Sequence, residues 1–159
     1  MSPHYRDNSI ARTEARCDDP FMWRGVMVVD DNALIRESVR TRFEAHGFAV
    51  CDAVDGAEAI QQAKEQAPDL IILDLSMPVM NGLEAARALK VLMPQVPLLM
   101  FTNMAVSTME REALAAGISA VVSKSESTDT LILQAKLCFC EGGSGFFGNP
   151  DLVTVKPDL

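Results

Sequence analysis

The chain has 159 residues, of which 48% are hydrophobic and 23% are charged, as expected of a globular domain with a substantial core. Its formal net charge is −8, which argues against direct binding to DNA or RNA because an acidic surface gains nothing from counterion release. No apolar stretch approaches the roughly 20 residues that cross a bilayer and no secretory core opens the chain, so we expect a cytoplasmic protein without a membrane span.

The first strand and helix follow an irregular beginning. Residues 1–24 mix Arg, Asp, Ser and Pro without an apolar period, and we expect a flexible extension there. The Val-rich run GVMVV that begins at Gly25 is typical of a buried parallel strand. Asn32 is placed to cap the next helix, and Gly47 is placed to end it.

The same alternation of strand and helix repeats four more times. Apolar runs predict strands at FAVCDA (48–53), DLIILD (69–74), VPLLMFT (96–102) and SAVVSK (119–124). Helical spacing of apolar residues predicts helices over about 57–66, 83–93 and 106–116, and a last one from about 128. Five βα units predict an α/β fold with a parallel sheet, helices on both faces and a ligand site at the carboxyl ends of the strands.

Polar residues stand at the carboxyl ends of four predicted strands. Asp30 and Asp31 follow the first strand, Asp74 ends the third, Thr102 ends the fourth and Lys124 ends the fifth. A parallel sheet would gather them at one edge, where carboxylates repel one another unless a divalent cation or a lysine lies beside them. Each residue alone has a plainer interpretation as a helix cap, a strand-end hydroxyl or a solvated charge, but their joint placement favours a common site.

These residue types indicate phosphoryl chemistry with a metal ion. Oxygen ligands select a hard ion such as Mg²⁺, which uses one or two carboxylates together with water and phosphate oxygens. With the charge of its neighbours neutralised, Asp74 would act as a nucleophile. The hydroxyl of Thr102 and the ammonium of Lys124 suit phosphoryl oxygens.

The motifs VVDDN, DGAEAI, PDLIILDLSMPVMNG, FTN and AAGISAVVSK resemble those of receiver domains of two-component response regulators. The resemblance covers about Gly25 to Cys140. It implies a flavodoxin-like, doubly wound sheet of five parallel strands in the order 2-1-3-4-5. The pair Lys124-Ser125 resembles receivers that are attached to helix-turn-helix output domains.

The resemblance also implies a role for each site residue. Asp74 matches the phosphoacceptor, and Asp30 and Asp31 match the acidic pair that binds the metal, with Asp31 as the direct ligand. The backbone carbonyl of Ser76 would complete a Mg²⁺ site that also accepts Mn²⁺ or Ca²⁺. Thr102 matches the switch hydroxyl of the family, and Lys124 matches its site lysine.

Partners follow from the same resemblance. A sensor histidine kinase or a phosphotransfer protein would donate the phosphoryl group, and the aspartyl phosphate would hydrolyse slowly by self-catalysis rather than by conventional enzyme turnover. Phosphorylation would repack the face formed by the fourth helix, fifth strand and fifth helix. That face would then bind an unidentified downstream protein or a second copy of the chain.

Three residues depart from the family pattern. Val121 stands in the fifth strand where the family usually carries Tyr or Phe, Ser125 stands where a proline with a cis peptide bond is frequent, and Asn103 stands where alanine is common. The missing aromatic residue keeps open an alternative, a pseudo-receiver that binds partners without phosphorylation. A flavodoxin-like cofactor binder is disfavoured, because no phosphate-cradling loop follows the first strand.

The end of the chain and the cysteines complete the sequence. Residues 141–159 begin with a Gly-rich stretch that resembles a linker, and they are too few for an output domain, which we therefore expect to be absent. The cysteine spacing fits no zinc motif, and reduced thiols are expected in a cytosolic protein. The cysteines are Cys17, Cys51, Cys138 and Cys140.

Overall fold

The computed structural model describes residues 24–77, 79–103 and 106–140, with only the backbone at 106–108 and 140. The predicted N-terminal extension, apart from Arg24, and the predicted tail over residues 141–159 lie outside these ranges. Within them no helix is both long enough and apolar enough to span a bilayer.

Five strands and five helices alternate along the described chain. Their bounds are β1 Gly25–Val29, α1 Ala33–Ala45, β2 Ala49–Ala53, α2 Gly56–Gln66, β3 Leu70–Leu73, α3 Gly82–Leu92, β4 Leu98–Thr102, α4 Val106–Ala115, β5 Ala120–Ser123 and α5 Thr128–Cys140. All neighbouring strands are parallel, in the order β2-β1-β3-β4-β5. The predicted α/β fold and strand order are therefore confirmed.

Local signals set most of the helix ends. The side chain of Asn32 accepts hydrogen bonds from the amides of Leu34 and Ile35, as predicted for an N-cap. Gly47 follows α1 with a φ of 91°, the left-handed conformation that glycine adopts at low cost. The predicted bounds of α2, α3 and α4 differ from the observed ones by one residue, because sequence patterns locate helix ends only approximately.

The sheet lies between two layers of helices. Side chains alternate along β1, so that Met27 and Val29 enter one core and Val26 and Val28 enter the other. The first core is covered by α2, α3 and α4, and the second by α1 and α5. Because both faces are covered, the polar residues that follow the strands can meet only at the sheet's edge.

Candidate functional site

Asp30 and Asp74 are held side by side at the carboxyl edge of the sheet. Val29 and Leu73 are the last residues of β1 and β3 and are aligned with each other. Asp30 and Asp74 each follow directly after one of them. The amide of Asp74 donates to the carbonyl of Val29 at 3.0 Å, and the amide of Asp30 donates to the carbonyl of Ala53 at 3.2 Å. Backbone pairing therefore continues through both aspartates and fixes their spacing.

Three carboxylates form one cluster at this edge. One oxygen from each of Asp30, Asp31 and Asp74 lies within 4.8 Å of the others. Asp30 and Asp74 are buried, whereas Asp31 is exposed, so the cluster opens to solvent on one side. The hard oxygen donors and the solvent access fit a hydrated Mg²⁺ ion.

Lys124 bridges the two buried carboxylates. Its Nζ lies 2.7 Å from Oδ2 of Asp30 and 3.3 Å from Oδ1 of Asp74. Lys124 follows β5, and its backbone amide donates to the carbonyl of Thr102, the last residue of β4, at 2.7 Å. Its side chain extends from there to the two aspartates. One ammonium therefore balances only part of the charge of three carboxylates.

Burial and charge shift the pKa of both partners. Burial raises the pKa of Asp74, and the charge of Asp30 raises it further, against the lowering effect of Lys124. Burial alone would lower the pKa of Lys124, but the hydrogen bond and charge of Asp30, followed by those of Asp74, outweigh it and raise that pKa. Lys124 thus stays protonated, and an additional cation would favour the ionised form of Asp74.

The remaining predicted site residues lie at the same edge but outside the carboxylate cluster. Thr102 ends β4 and is buried. Ser76 is exposed on the loop between β3 and α3, two residues after Asp74. The structure therefore brings Asp30, Asp31, Asp74 and Lys124 together. It places Thr102 at the end of β4 and Ser76 on the loop that follows β3, at the same edge of the sheet.

The structure describes all three positions at which the chain departs from the family pattern. Val121 is fully buried in β5, in register with Met100 of β4. No cis peptide bond occurs in the described ranges, so the bond between Lys124 and Ser125 is trans. Asn103 is exposed just after β4.

Sequence reasoning missed one contact of the cluster. Arg36 of α1 donates from Nη1 to the backbone carbonyl of Asp30 at 2.7 Å and from Nε to Oδ2 of Asp52 at 3.2 Å. Arg36 follows Asp30 by only six residues, but nothing in the local sequence tells which acceptor a long side chain will bind.

Comparisons with known proteins agree with this architecture. The family model for the response regulator receiver domain matches residues 26–136. A protein of Pseudomonas aeruginosa described as a candidate transcriptional regulator is 40% identical over 112 residues, which is 70% of this chain and 54% of that protein. The chain thus spans only about half of this relative.

Two chemotaxis proteins match this chain over nearly their whole length. CheY of Bacillus subtilis is 31% identical over 108 residues, which cover 67% of this chain and 90% of CheY. The solved structure of Vibrio cholerae CheY4 matches with a TM-score of 0.68 and 31% identity, over 71% of this chain and 96% of that one. The chain therefore belongs to the family of response regulator receiver domains of two-component systems.

Proposed function

We propose that this receiver accepts a phosphoryl group on Asp74 in a Mg²⁺-dependent reaction. The observation that carries the proposal is the position of Asp74 within a cluster of three carboxylates, with its Oδ1 3.3 Å from the ammonium of Lys124. A buried carboxylate among other carboxylates is costly for the fold, and such perturbed groups concentrate at functional sites.

The donor in this proposal is a phosphohistidine of a sensor kinase or of a phosphotransfer protein. Because Lys124 holds Oδ1 of Asp74, we assign the attack on phosphorus to Oδ2. A P–O bond to Asp74 forms as the P–N bond to the histidine breaks, and the departing imidazole takes up a proton. The product is an aspartyl phosphate, which water later hydrolyses to restore the carboxylate.

The other residues of the site bind and orient the reacting groups. Asp30, Asp31, Asp74 and the carbonyl of Ser76 would hold Mg²⁺, which when bound neutralises the negative charge that otherwise repels a phosphoryl group. Lys124 offers its ammonium to a phosphoryl oxygen, so it exchanges part of its contact with Asp74 for the new group. Thr102 supplies a hydroxyl to a second oxygen from the end of β4.

The output of this switch is a change in a protein-binding surface. If Thr102 turns toward the phosphoryl group, the end of β4 and the start of α4 change their packing, and a pre-existing equilibrium of the α4–β5–α5 face is biased. A downstream protein or a second copy of the chain would then bind that face. Val121 gives this transition a smaller side chain to rearrange than an aromatic ring would.

Phosphorylation can be tested directly by intact mass. The full chain is incubated with acetyl phosphate and Mg²⁺, and we expect a gain of one phosphoryl group that Asp74→Asn or chelation of Mg²⁺ abolishes. Asp55→Asn is the matched control, because Asp55 follows β2 at the same edge but caps α2, where its side chain accepts from the amide of Glu58 at 2.9 Å. This variant should be phosphorylated like the wild type.

Two results would contradict the proposal. An unmodified wild-type mass together with undetectable Mg²⁺ binding would favour the pseudo-receiver. A modification that persists in Asp74→Asn would place the phosphoryl group on another residue.

A further inference from the structure

Arg36 connects the acidic cluster to the neighbouring strand. Its Nη1 donates to the backbone carbonyl of Asp30 at 2.7 Å, while its Nε donates to Oδ2 of Asp52 on β2 at 3.2 Å. The side chain is only 17% exposed. A planar guanidinium that binds two acceptors at once fixes their relative position, which a flexible single-point donor cannot do.

The carboxylate that anchors Arg36 is itself fixed. Oδ1 of Asp52 lies 3.3 Å from Nη2 of Arg40, one helical turn further along α1. Arg40 also donates from Nη1 to the carbonyl of Val50 at 3.1 Å. Two arginines of α1 therefore hold Asp52, and Arg36 extends the connection to Asp30.

Hydrogen bonds fix the turn that carries Asp30 and Asp31. The amide of Asp30 donates to the carbonyl of Ala53, and Oδ1 of Asp30 accepts from the amide of Asn32 at 2.9 Å. The bond from Arg36 to the Asp30 carbonyl holds the peptide that joins Asp30 to Asp31. The direction of the exposed Asp31 carboxylate thus depends on a peptide group whose oxygen Arg36 fixes.

We propose that Arg36 is a positioning residue for the divalent-cation site, because it fixes the Asp30–Asp31 peptide and thereby the two carboxylates that follow β1. The inference rests on the proposed Mg²⁺-dependent function but concerns a residue that is not itself a ligand. Groups that hold metal ligands in place typically change metal affinity by about 10-fold to 100-fold when they are removed.

Electrostatics alone predicts the opposite change in Mg²⁺ affinity when Arg36 is removed. Arg36 brings a positive charge close to the cation site, so its removal should strengthen the binding of Mg²⁺ if only charge matters. Removal also leaves Asp52 with one cationic partner fewer, which adds negative potential. A loss of Mg²⁺ affinity in a folded Arg36 variant can therefore be assigned to lost positioning.

The test is a titration of Mg²⁺ alone, followed by amide chemical shifts of the full chain in ¹H–¹⁵N NMR spectra. For Arg36→Met we expect Mg²⁺ to bind about 10-fold more weakly than to the wild type. Arg40→Met is the matched control, because it removes the other arginine bound to Asp52 and keeps Arg36, the donor to the Asp30 carbonyl. The Mg²⁺ affinity of this variant should stay within about twofold of the wild type. The same spectra report whether each variant is folded.

A second variant keeps the test decisive if Arg36→Met does not fold. Arg36→Lys retains the positive charge but lacks the planar guanidinium that binds two acceptors at once. We expect this variant to lose at least threefold in Mg²⁺ affinity. Unchanged or tighter binding by a folded Arg36 variant, or an equal loss in Arg40→Met, would overturn the inference while leaving the proposed function intact. Absence of Mg²⁺ binding and of phosphorylation in the wild type would instead refute the proposed function.

Discussion

Gly82 packs directly against the backbone of Asp74. A Cβ on Gly82 would lie 2.3 Å from the carbonyl oxygen of Asp74 and 2.8 Å from the Cα of Leu75. The amide of Gly82 also donates to the carbonyl of Leu75 at 2.8 Å. The first residue of α3 and the segment after β3 are thus in contact backbone to backbone, and any side chain at position 82 would displace the candidate phosphoacceptor.

Gly82→Ala should therefore destabilise the protein even though alanine favours helices. We expect the free energy of unfolding to fall by about 1–3 kcal/mol, the range for overpacked sites, measured by urea denaturation. Gly56→Ala is the matched control, because Gly56 also begins a helix, but its added Cβ would meet side-chain atoms of Met80 and Ala85 at 3.0 Å or more. A larger loss in Gly56→Ala than in Gly82→Ala would contradict the backbone clash.

The charge of Asp74 should cost stability when Mg²⁺ is absent. Burial and the charge of Asp30 raise the pKa of Asp74 above its ordinary value of 3.8. The ionised carboxylate is therefore less favourable in the folded than in the unfolded chain. We expect Asp74→Asn to raise the free energy of unfolding near neutral pH in chelated buffer, despite losing the contact with Lys124.

The pH dependence follows from the same shift. Between 3.8 and the raised pKa the folded wild type binds more protons at Asp74 than the unfolded chain, so this group's contribution to stability increases as pH falls. The difference between wild type and Asp74→Asn should thus shrink in acid, as urea titrations at several pH values would show. Asp55→Asn should change little, since Asp and Asn cap helices equally well. A variant less stable than the wild type at neutral pH would show that the Lys124 contact dominates.

The sequence pattern predicted which residues meet at the carboxyl edge, because this follows from strand direction. It missed contacts that depend on how far a side chain reaches or how closely two segments pack. Asp30, Asp74 and Lys124 were predicted to meet because parallel strands share a carboxyl edge, and the structure places them in contact. The predicted end of α2 at residue 66 agrees with the structure, but the residue that caps this end is Ala67 with a φ of 49°, not a glycine. The bond from Arg36 to the Asp30 carbonyl and the contact of Gly82 depend on three-dimensional packing that no local pattern encodes.

Two cysteines should be chemically inert in the native protein. Burial raises the pKa of Cys51 and of Cys138 from 9.0 to about 12, so both thiols remain protonated under ordinary conditions. We expect neither to react with a thiol reagent near pH 8 until the chain is denatured, because the thiolate is the reactive form. Peptide mapping by mass spectrometry assigns the labelled positions and separates them from Cys17 and Cys140.

The same two thiols should weaken the fold at high pH. Above pH 9.0 the unfolded chain loses these protons while the folded chain keeps them to about 12, so stability should fall as pH rises through that interval. A Cys51→Ala, Cys138→Ala double variant should show a shallower decline in urea titrations. Labelling of either native thiol at the rate of a free peptide would contradict the burial on which both expectations rest.

Val121 should be too tightly enclosed to accept the aromatic ring that receivers usually carry there. It is 0% exposed and belongs to the core that includes Met109 and Ala113 of α4. We expect Val121→Tyr to lower the free energy of unfolding by about 1–3 kcal/mol, since the larger side chain must displace well-packed neighbours. Because Val121 is part of the apolar core, we expect phosphorylation by acetyl phosphate to change less than about twofold. A stable variant with altered phosphorylation would instead show that this strand position is coupled to Asp74, as an aromatic switch requires.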